Sequence, residues 1–520
     1  MTAARAPASA IDPITRSVFV NAFRGVAEEM GAALIRSSRS SNIKERRDCS
    51  CALFDARGRM IAQAEHIPVH LGAMRESVAA VMARDPRPGD VFMLNDPYTG
   101  GTHLPDITLV TPIVHRAAIA GYAVSRAHHS DVGGMRPGSM PSDSTSIYQE
   151  GLVIPPVRIE QGGQPVGDIL DIVMANVRTP DIRRADILAQ LAANRIGAAR
   201  LAEIVERHGP ALIEAVIEDV LSYSERRTRA VLREIPDGRY AAEGQMEGDG
   251  VSAQDITLRC VSEIAGEELH FDFAGSAGAV AGNVNCPLAV TRSACLFALR
   301  VLLPDDVPMN AGVDRALRVS APAGSVVNAV RPSAVVAGNV ETSQRIADVA
   351  LESLAQAVDL SAGGQGTMNN VIIGGERWTY YETIGGGQGA SSSGDGASGV
   401  HVGMSNTLNT PIEALELEFP MTVERYELRY GTGGAGLHRG GDGIVRTIRV
   451  LEDATLCLLS ERRRHAPRGA AGGADGALGA NRVDDRDLPA KVTVALRAGA
   501  RVSVSTPGGG GWGAVGRPGP

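Results

Sequence analysis

The chain has 520 residues, 44% of them hydrophobic and 21% charged, with a net charge of −8 and 61 glycines. That length holds two to four domains, or one large domain with lobes, and supplies ample material for a buried core. The acidic balance and the lack of any basic run argue against nucleic acid and against a membrane surface as partners.

No uninterrupted apolar run approaches a membrane span, and the Ala-rich start from Met1 to Asp12 lacks the continuous apolar core of a signal peptide, so a cytoplasmic location is expected. The cysteines, Cys49, Cys51, Cys260, Cys286, Cys295 and Cys457, have no CxxC spacing, which suits reduced thiols better than a disulfide framework. Lysine occurs only at Lys44 and Lys491, and neither follows a glycine, so the chain carries no Gly-Lys-Ser/Thr phosphate loop. If the reaction uses ATP, another subunit has to bind it.

In chain order, Asp12-Pro13 predicts a helix with an acidic cap, and Ile14, Val18, Ala22, Val26, Met30 and Leu34 give it an apolar stripe. The segment from Asp48 to Asp55 and its partner from Met60 to Ala64 read as a β-hairpin about a turn at Asp55 to Gly58. Alternation there puts Cys49 and Cys51 on one face, as buried structural thiols. Leu71 to Ala83 reads as a helix and Asp90 to Leu94 as a strand, which leads into Asn95-Asp96-Pro97-Tyr98-Thr99-Gly100-Gly101-Thr102-His103-Leu104-Pro105-Asp106.

That stretch is where chemistry is expected. The run from Asp106 to His115 and the run from Ala118 to Val124 are strand-like, and a hairpin turning near Arg116 to Ala118 brings Asp106 nearly opposite His128. His103, three residues before Asp106, sits in a Gly- and Pro-containing loop that can fold over the same end. Two imidazoles and a carboxylate would then converge, a set that suits a divalent transition metal with positions left open. A hydrogen-bonded loop cluster is the competing reading of the same residues.

Beyond it, Asp131 to Thr145 is a long irregular loop of the kind that carries function, followed by an extended segment from Ile147 to Pro156. Thr179 caps a helix that runs from Pro180 to about His208, and Pro210 to about Glu234 forms another. Arg183, Arg184, Asp186, Gln190 and Asn194 give the first of these a polar face expected to be solvated or to meet a partner. Tyr240 to Phe273 has β pattern, and Asn283 to Leu303 and Glu341 to Val358 read as helices. From Gly363 the composition turns to Gly, Ser and Asn with short strands.

The fold class expected is α+β and multi-lobed, with a β-hairpin metal-site region, long helices and a Gly-rich, β-rich C-terminal lobe. The divisions are 12-170, 171-236, 237-360, 361-512 and a tail, 513-520. Within the last lobe Gly431 to Gly436 satisfies GxGxxG, but no helix pattern follows, so tight β-turns are expected and not a dinucleotide site. Gly385 to Gly389 reads as packed backbone turns in preference to an anion nest.

Several strings resemble the hydantoinase B and 5-oxoprolinase family. They are Ile43 to Asp55, His66 to Gly72, Asn95 to Asp106, Arg126 to Asp131, Pro137 to Met140 with Pro141, Ala337 to Gln344, Gly364 to Asn370, Tyr380 to Gly387, Asn409 to Glu413 and Thr506 to Gly511. The resemblance implies a metal held by His103, Asp106 and His128, and a partner of the hydantoinase A type with an ATPase fold. It also implies ATP-driven opening of hydantoins, 5-oxoproline or other lactams, with a related branch that carboxylates ketones such as acetone or acetophenone. Where many relatives have a second histidine near His401, this chain reads His401-Val-Gly-Met-Ser-Asn406.

On this reading the chain is the hydrolytic subunit of a hetero-oligomer, with Zn, Mn or Fe at its metal site and ATP on the partner. His129, Asp131 and Asp96 are the catalytic candidates beside the metal set: His129 or Asp131 for proton transfer or support of the bound imidazole, and Asp96, like Asp48 and His70, for the same pocket. The alternatives are a subunit of an ATP-dependent ketone carboxylase and a non-catalytic scaffold.

Overall fold

The carboxylate of Asp12 accepts the N–H groups of Ile14 and Thr15, and with Pro13 at the first helical position it opens helix α1 (Pro13–Ser37). The computed structural model describes residues 11–65, 67–70 and 72–515. The first ten residues, His66, Leu71 and the tail from 516, on which expectations also fell, lie outside the described residues. The stripe expected on α1 is corrected: Phe19, Phe23, Val26, Met30 and Leu34 are buried, while Ile14 is 78% and Val18 59% exposed. Each i to i+4 step overshoots a turn of 3.6 residues by about 40°, so a series begun at Ile14 has rotated off the face of Leu34.

Next come α2 (Ser41–Lys44), strands β1 (Cys49–Asp55) and β2 (Met60–Glu65), helix α3 (Met74–Met82), and strands β3 (Val91–Leu94), β4 (Asp106–His115), β5 (Ala118–His128), β6 (Val157–Gln161) and β7 (Gln164–Pro165). These seven strands form one antiparallel sheet in the order β2-β1-β5-β4-β3-β6-β7. The hairpin β4–β5 is its centre. Arg116 and Ala117 make the turn with φ of 46° and 67°, the left-handed pair that matches the twist of two-residue hairpins.

A single irregularity sets the register of the functional end. Ile113 pairs with Gly121 but Val114 pairs with Ile119, so Ala120 is bulged out and every pair beyond it is displaced by one. Asp106 therefore faces His128; without the bulge it would face Ala127, and His128 would point to the other side of the sheet. Gly121 is needed beside the bulge, since a Cβ there would lie 2.3 Å from the Phe54 carbonyl oxygen of β1.

Helices α4 (Gly167–Ala175), α5 (Pro180–His208) and α6 (Pro210–Arg233) follow; α4 had no counterpart among the expected elements, and Thr179 occupies the cap of α5 without a side-chain bond. The polar face of α5 is not solvated. Arg183, Asp186, Gln190 and Asn194 are buried against the sheet, where Gln190 donates to the Ile107 and Ser125 carbonyls and Asn194 to that of Leu109. Only Arg184 of the set keeps an exposed ion pair, with Asp171. A helix can turn polar groups inward when strand carbonyls with spare lone pairs accept them.

Strands β8 (Gly238–Glu247), β9 (Asp255–Ala265), β10 (Glu268–Asp272) and β11 (Leu317–Ser320) form a second sheet, in the order β11-β10-β9-β8. Helices α7 (Leu288–Leu302) and α8 (Ser343–Leu354) share its core. Helix α7 starts five residues later than expected because Pro287 is its cap and the residue before a proline avoids helical backbone. Helix α8 is shorter than expected and is entered through a π-helical turn, Gly338–Thr342.

The remaining elements are β12 (Asn370–Gly374), β13 (Thr379–Glu382), α9 (Ile412–Glu418), β14 (Met421–Arg429), β15 (Gly443–Val450), β16 (Ala454–Leu459), β17 (Ala480–Val483), β18 (Arg486–Leu488), β19 (Lys491–Leu496) and β20 (Arg501–Ser505). They build a sheet β13-β12-β16-β19 and a sheet β14-β15-β20-β17-β18 around a shared apolar core. Beside these sheets the glycine segments pack backbone on backbone: Gly434 N–H donates to Gly509, Gly509 to Gly441, and Gly441 to Gln388. A Cβ at Gly433 or Gly509 would fall 1.8 or 2.0 Å from a carbonyl oxygen. The GxGxxG run is thus a packing device, with no helix after it.

Candidate metal centre

The loop before β4 places His103, the first residue of β4 is Asp106, and the last residue of β5 is His128. All three are buried, at 0%, 1% and 2% exposure. His103 Nε2 lies 2.9 Å and His128 Nδ1 3.2 Å from the same Asp106 oxygen, Oδ1, and one ligand atom from each residue lies within 4.8 Å of the others. Donor atoms about 2.1 Å from a shared ion, at tetrahedral or octahedral angles, stand roughly 3.0–3.4 Å apart. The spacing fits.

The other carboxylate oxygen is held by the protein. Thr102 Oγ1 donates to Asp106 Oδ2 at 2.7 Å, and Asn339 Nδ2 and His70 Nε2 stand 3.4 Å from it. His70 is in turn fixed by Ser50, whose Oγ lies 3.0 Å from Nδ1. The ring of Tyr381 stacks on His128 at 4.5 Å, and the Arg46 guanidinium lies over that tyrosine. His103 Nδ1 is 3.4 Å from the Val336 carbonyl, whose peptide neighbours Val335 and Val336 donate their N–H groups to Glu150.

Electrostatics suit a cation. Burial by itself would raise the Asp106 carboxyl, but the charge and hydrogen bonds of His103, with His128 and His70 behind them, hold it well below the usual carboxylate range. Burial lowers the His128 imidazole against the pull of Asp106, which favours the neutral, ligating form. His128 Nε2 is buried and makes no hydrogen bond among the described residues, while His103 Nε2 is buried against Asp106 Oδ1 at 2.9 Å. Two buried imidazoles beside one carboxylate form a donor set that a divalent ion would complete.

The structure gives the other sequence candidates different surroundings. His129 turns toward α5, with Nε2 2.9 Å from Gln190 Oε1; burial and the Arg183 charge depress its imidazole to about 4. Asp131 accepts from the N–H groups of Gly133, Gly138 and Arg178 and from the Arg178 guanidinium, which pins the long loop. Asp96 accepts from Tyr98 N–H and Thr99 Oγ1 and pairs with Arg331 at 2.5 Å. The carboxylates of Asp131 and Asp96 are thus occupied by loop and guanidinium groups. Asp48 accepts the His128 N–H at its backbone carbonyl, so it steadies the end of β5 by its main chain.

Sequence reading gave no role to Thr102, Asn339 or Tyr381. Each lies in a string quoted for the resemblance, yet nothing in spacing shows that the π-helical turn or β13 reaches the end of a hairpin more than 200 residues earlier in the chain. The thiols are inert in this setting: all six cysteines are free and buried, and burial pushes Cys51 up to about 12. Among the described residues no helix is long and apolar enough to cross a membrane.

Comparison with known proteins agrees with the strings. The 5-oxoprolinase 1 of Arabidopsis thaliana is 39% identical over 96% of this chain, and the chain spans 42% of that relative's length. The solved ATP-dependent caprolactamase from Pseudomonas jessenii superimposes with a TM-score of 0.89 at 29% identity, over 97% of this chain and 91% of its own. An acetone carboxylase shares the fold, with a TM-score of 0.87 at 17% identity over 96% of this chain and 76% of its own. The model for hydantoinase B/oxoprolinase matches residues 12–515, and the chain belongs to that family.

Proposed function

We propose that this chain is the metal-dependent hydrolytic component of an ATP-dependent cyclic amidase, with His103, Asp106 and His128 as its metal ligands. The observation that carries the reading is the buried cluster of two imidazoles around one carboxylate oxygen in a chain of this family. Zn, Mn or Fe held there would supply Lewis acidity, polarising an amide oxygen and making water nucleophilic at neutral pH. The sequence has no phosphate loop, so ATP belongs to a hydantoinase A-type partner, which activates the ring for this chain to open.

The chain's own residues have definable tasks. Thr102 and Asn339 occupy Asp106 Oδ2 and so direct Oδ1 toward the histidines. Tyr381 holds the plane of the His128 ring, and His70, anchored by Ser50, gives a further imidazole within reach of the same carboxylate. Burial keeps bulk water from an activated amide. For Asp131 and Asp96 we assign loop anchoring, since their oxygens are taken up by N–H groups and guanidinium groups; His129 supports the β4–β5 end through Gln190.

The test is reconstitution with the ATPase partner and measurement of ATP-dependent ring opening of a hydantoin, 5-oxoproline and a lactam, with a ketone and labelled bicarbonate run beside them. Ring opening that disappears in His103→Ala and Asp106→Ala is expected. Incorporation of labelled carbon into the ketone alone would favour the carboxylase branch, and full turnover without the ligands would favour a scaffold.

A further inference from the structure

The loop that carries His103 and leads to Asp106 is matched, contact for contact, by a segment more than 200 residues later in the chain. Asp96 pairs with Arg331 at 2.5 Å, and the Tyr98 hydroxyl donates to the Ser333 carbonyl at 2.7 Å. His103 Nδ1 lies 3.4 Å from the Val336 carbonyl, and Asp106 Oδ2 lies 3.4 Å from Asn339 Nδ2. Residues 96 to 106 thus run in step with residues 331 to 339, and the last two contacts fall on the residues read above as metal ligands.

The later segment is itself gripped on both sides of Val336. Ahead of it stands Glu150, a fully buried side chain. Its Oε1 accepts the N–H groups of Val335 at 3.0 Å and Val336 at 3.1 Å and the Ser144 hydroxyl at 3.0 Å, while Oε2 lies 3.1 Å from the Val335 nitrogen. Beyond Val336, the N–H groups of Ala337 and Gly338 donate to the Asn283 carbonyl, each at 3.1 Å. The Val336 carbonyl is therefore fixed from two sides and aimed at His103. A carbonyl oxygen only accepts, so it keeps a proton on Nδ1 and leaves Nε2, 2.9 Å from Asp106 Oδ1, as the nitrogen for a metal.

We infer that Glu150 is a positioning residue for the metal centre: by holding the N–H groups of Val335 and Val336 it sets the carbonyl that orients His103 for ligation through Nε2. The inference rests on the metal-ligand reading above. It does not touch the ligands; it acts through one backbone segment. Three of its bonds converge on Oε1, so an amide oxygen in the same place keeps them, whereas an apolar side chain leaves two buried N–H groups without an acceptor. A side chain that only filled space would alter stability when replaced and leave the geometry at the metal as it was.

The experiment loads the purified full chain with cobalt(II) and reads its visible absorption band and its rate of loss to a chelator. Glu150→Met should shift the band and speed cobalt loss about tenfold or more, the scale on which a group that orients a metal-bound histidine acts. Glu150→Gln should restore most of the wild-type band and rate. Asp131→Asn, a destabilised control on another loop, should leave both unchanged. In wild-type chain carrying zinc and 15N-histidine, the ring resonances that vanish in His103→Ala should show Nδ1 protonated and Nε2 ligated, and this measurement decides the matter if Glu150→Met does not fold. A folded Glu150→Met with the wild-type band and rate overturns the inference, as does a Glu150→Gln no better than Glu150→Met, an Asp131→Asn equal to it, or ligation of His103 through Nδ1. Cobalt binding that His103→Ala leaves unaltered overturns the metal-ligand reading itself, and metal bound through His103 but indifferent to Glu150 overturns this inference alone.

Discussion

Replacing Asp106 by Asn tests the centre most sharply, because it keeps the shape and removes only the charge and one acceptor. In the structure Oδ1 faces His103 and His128, and Oδ2 accepts from Thr102 and faces Asn339 and His70. An amide nitrogen on the Oδ2 side would oppose the Asn339 donor; on the Oδ1 side it would oppose the imidazoles. Either way a buried donor is unmatched, which costs about 1–3 kcal/mol, and loss of the charge-assisted bonds adds a similar amount. The sum, about 2–6 kcal/mol, is within the usual stability of a domain, so the variant should fold but unfold at lower urea. Metal per chain, measured by mass spectrometry after dialysis, should fall to about a tenth of the wild-type value or less. A natively folded Asp106→Asn protein that retained full metal would refute the ligand assignment.

Other outcomes follow from the same geometry. Asp131→Asn should leave metal content unchanged while lowering stability by about 1–3 kcal/mol, since the carboxylate serves Arg178 and loop N–H groups; metal loss in that variant would contradict its placement. Tyr381→Leu removes the stack on His128 and the seat of Arg46, at about 1–3 kcal/mol, and should weaken metal retention, whereas Tyr381→Phe loses only the bond to Asn370 and should keep it. Asp314 has a carboxyl that burial pushes up to about 6, against the pull of Arg75. A raised acid favours the folded state when protonated, so the wild type loses stability as pH climbs from about 4 to 6. Asp314→Asn should therefore match it at pH 4 and exceed it by about 1–2 kcal/mol at pH 8 in urea unfolding.

How much of this was legible beforehand depends on the range of the interaction. The cap at Asp12, the hairpin β4–β5 with its turn at Arg116 and Ala117, and the convergence of His103, Asp106 and His128 all follow from residues within about thirty positions, where period, turn chemistry and spacing are local facts. The polar face of α5 was misread because periodicity shows which residues share a face but not what lies opposite; strand carbonyls drew Gln190 and Asn194 inward.

The sequence by itself determined the residue types of the candidate centre, their hairpin and the absence of a phosphate loop, since these are written in residue identity and short spacing. Only the tertiary structure decided that the bulge at Ala120 turns His128, and not Ala127, toward Asp106. It alone brought Asn339 and Tyr381 to the same end. Those outcomes depend on backbone register and on contacts between segments hundreds of residues apart, which pattern in one segment does not encode.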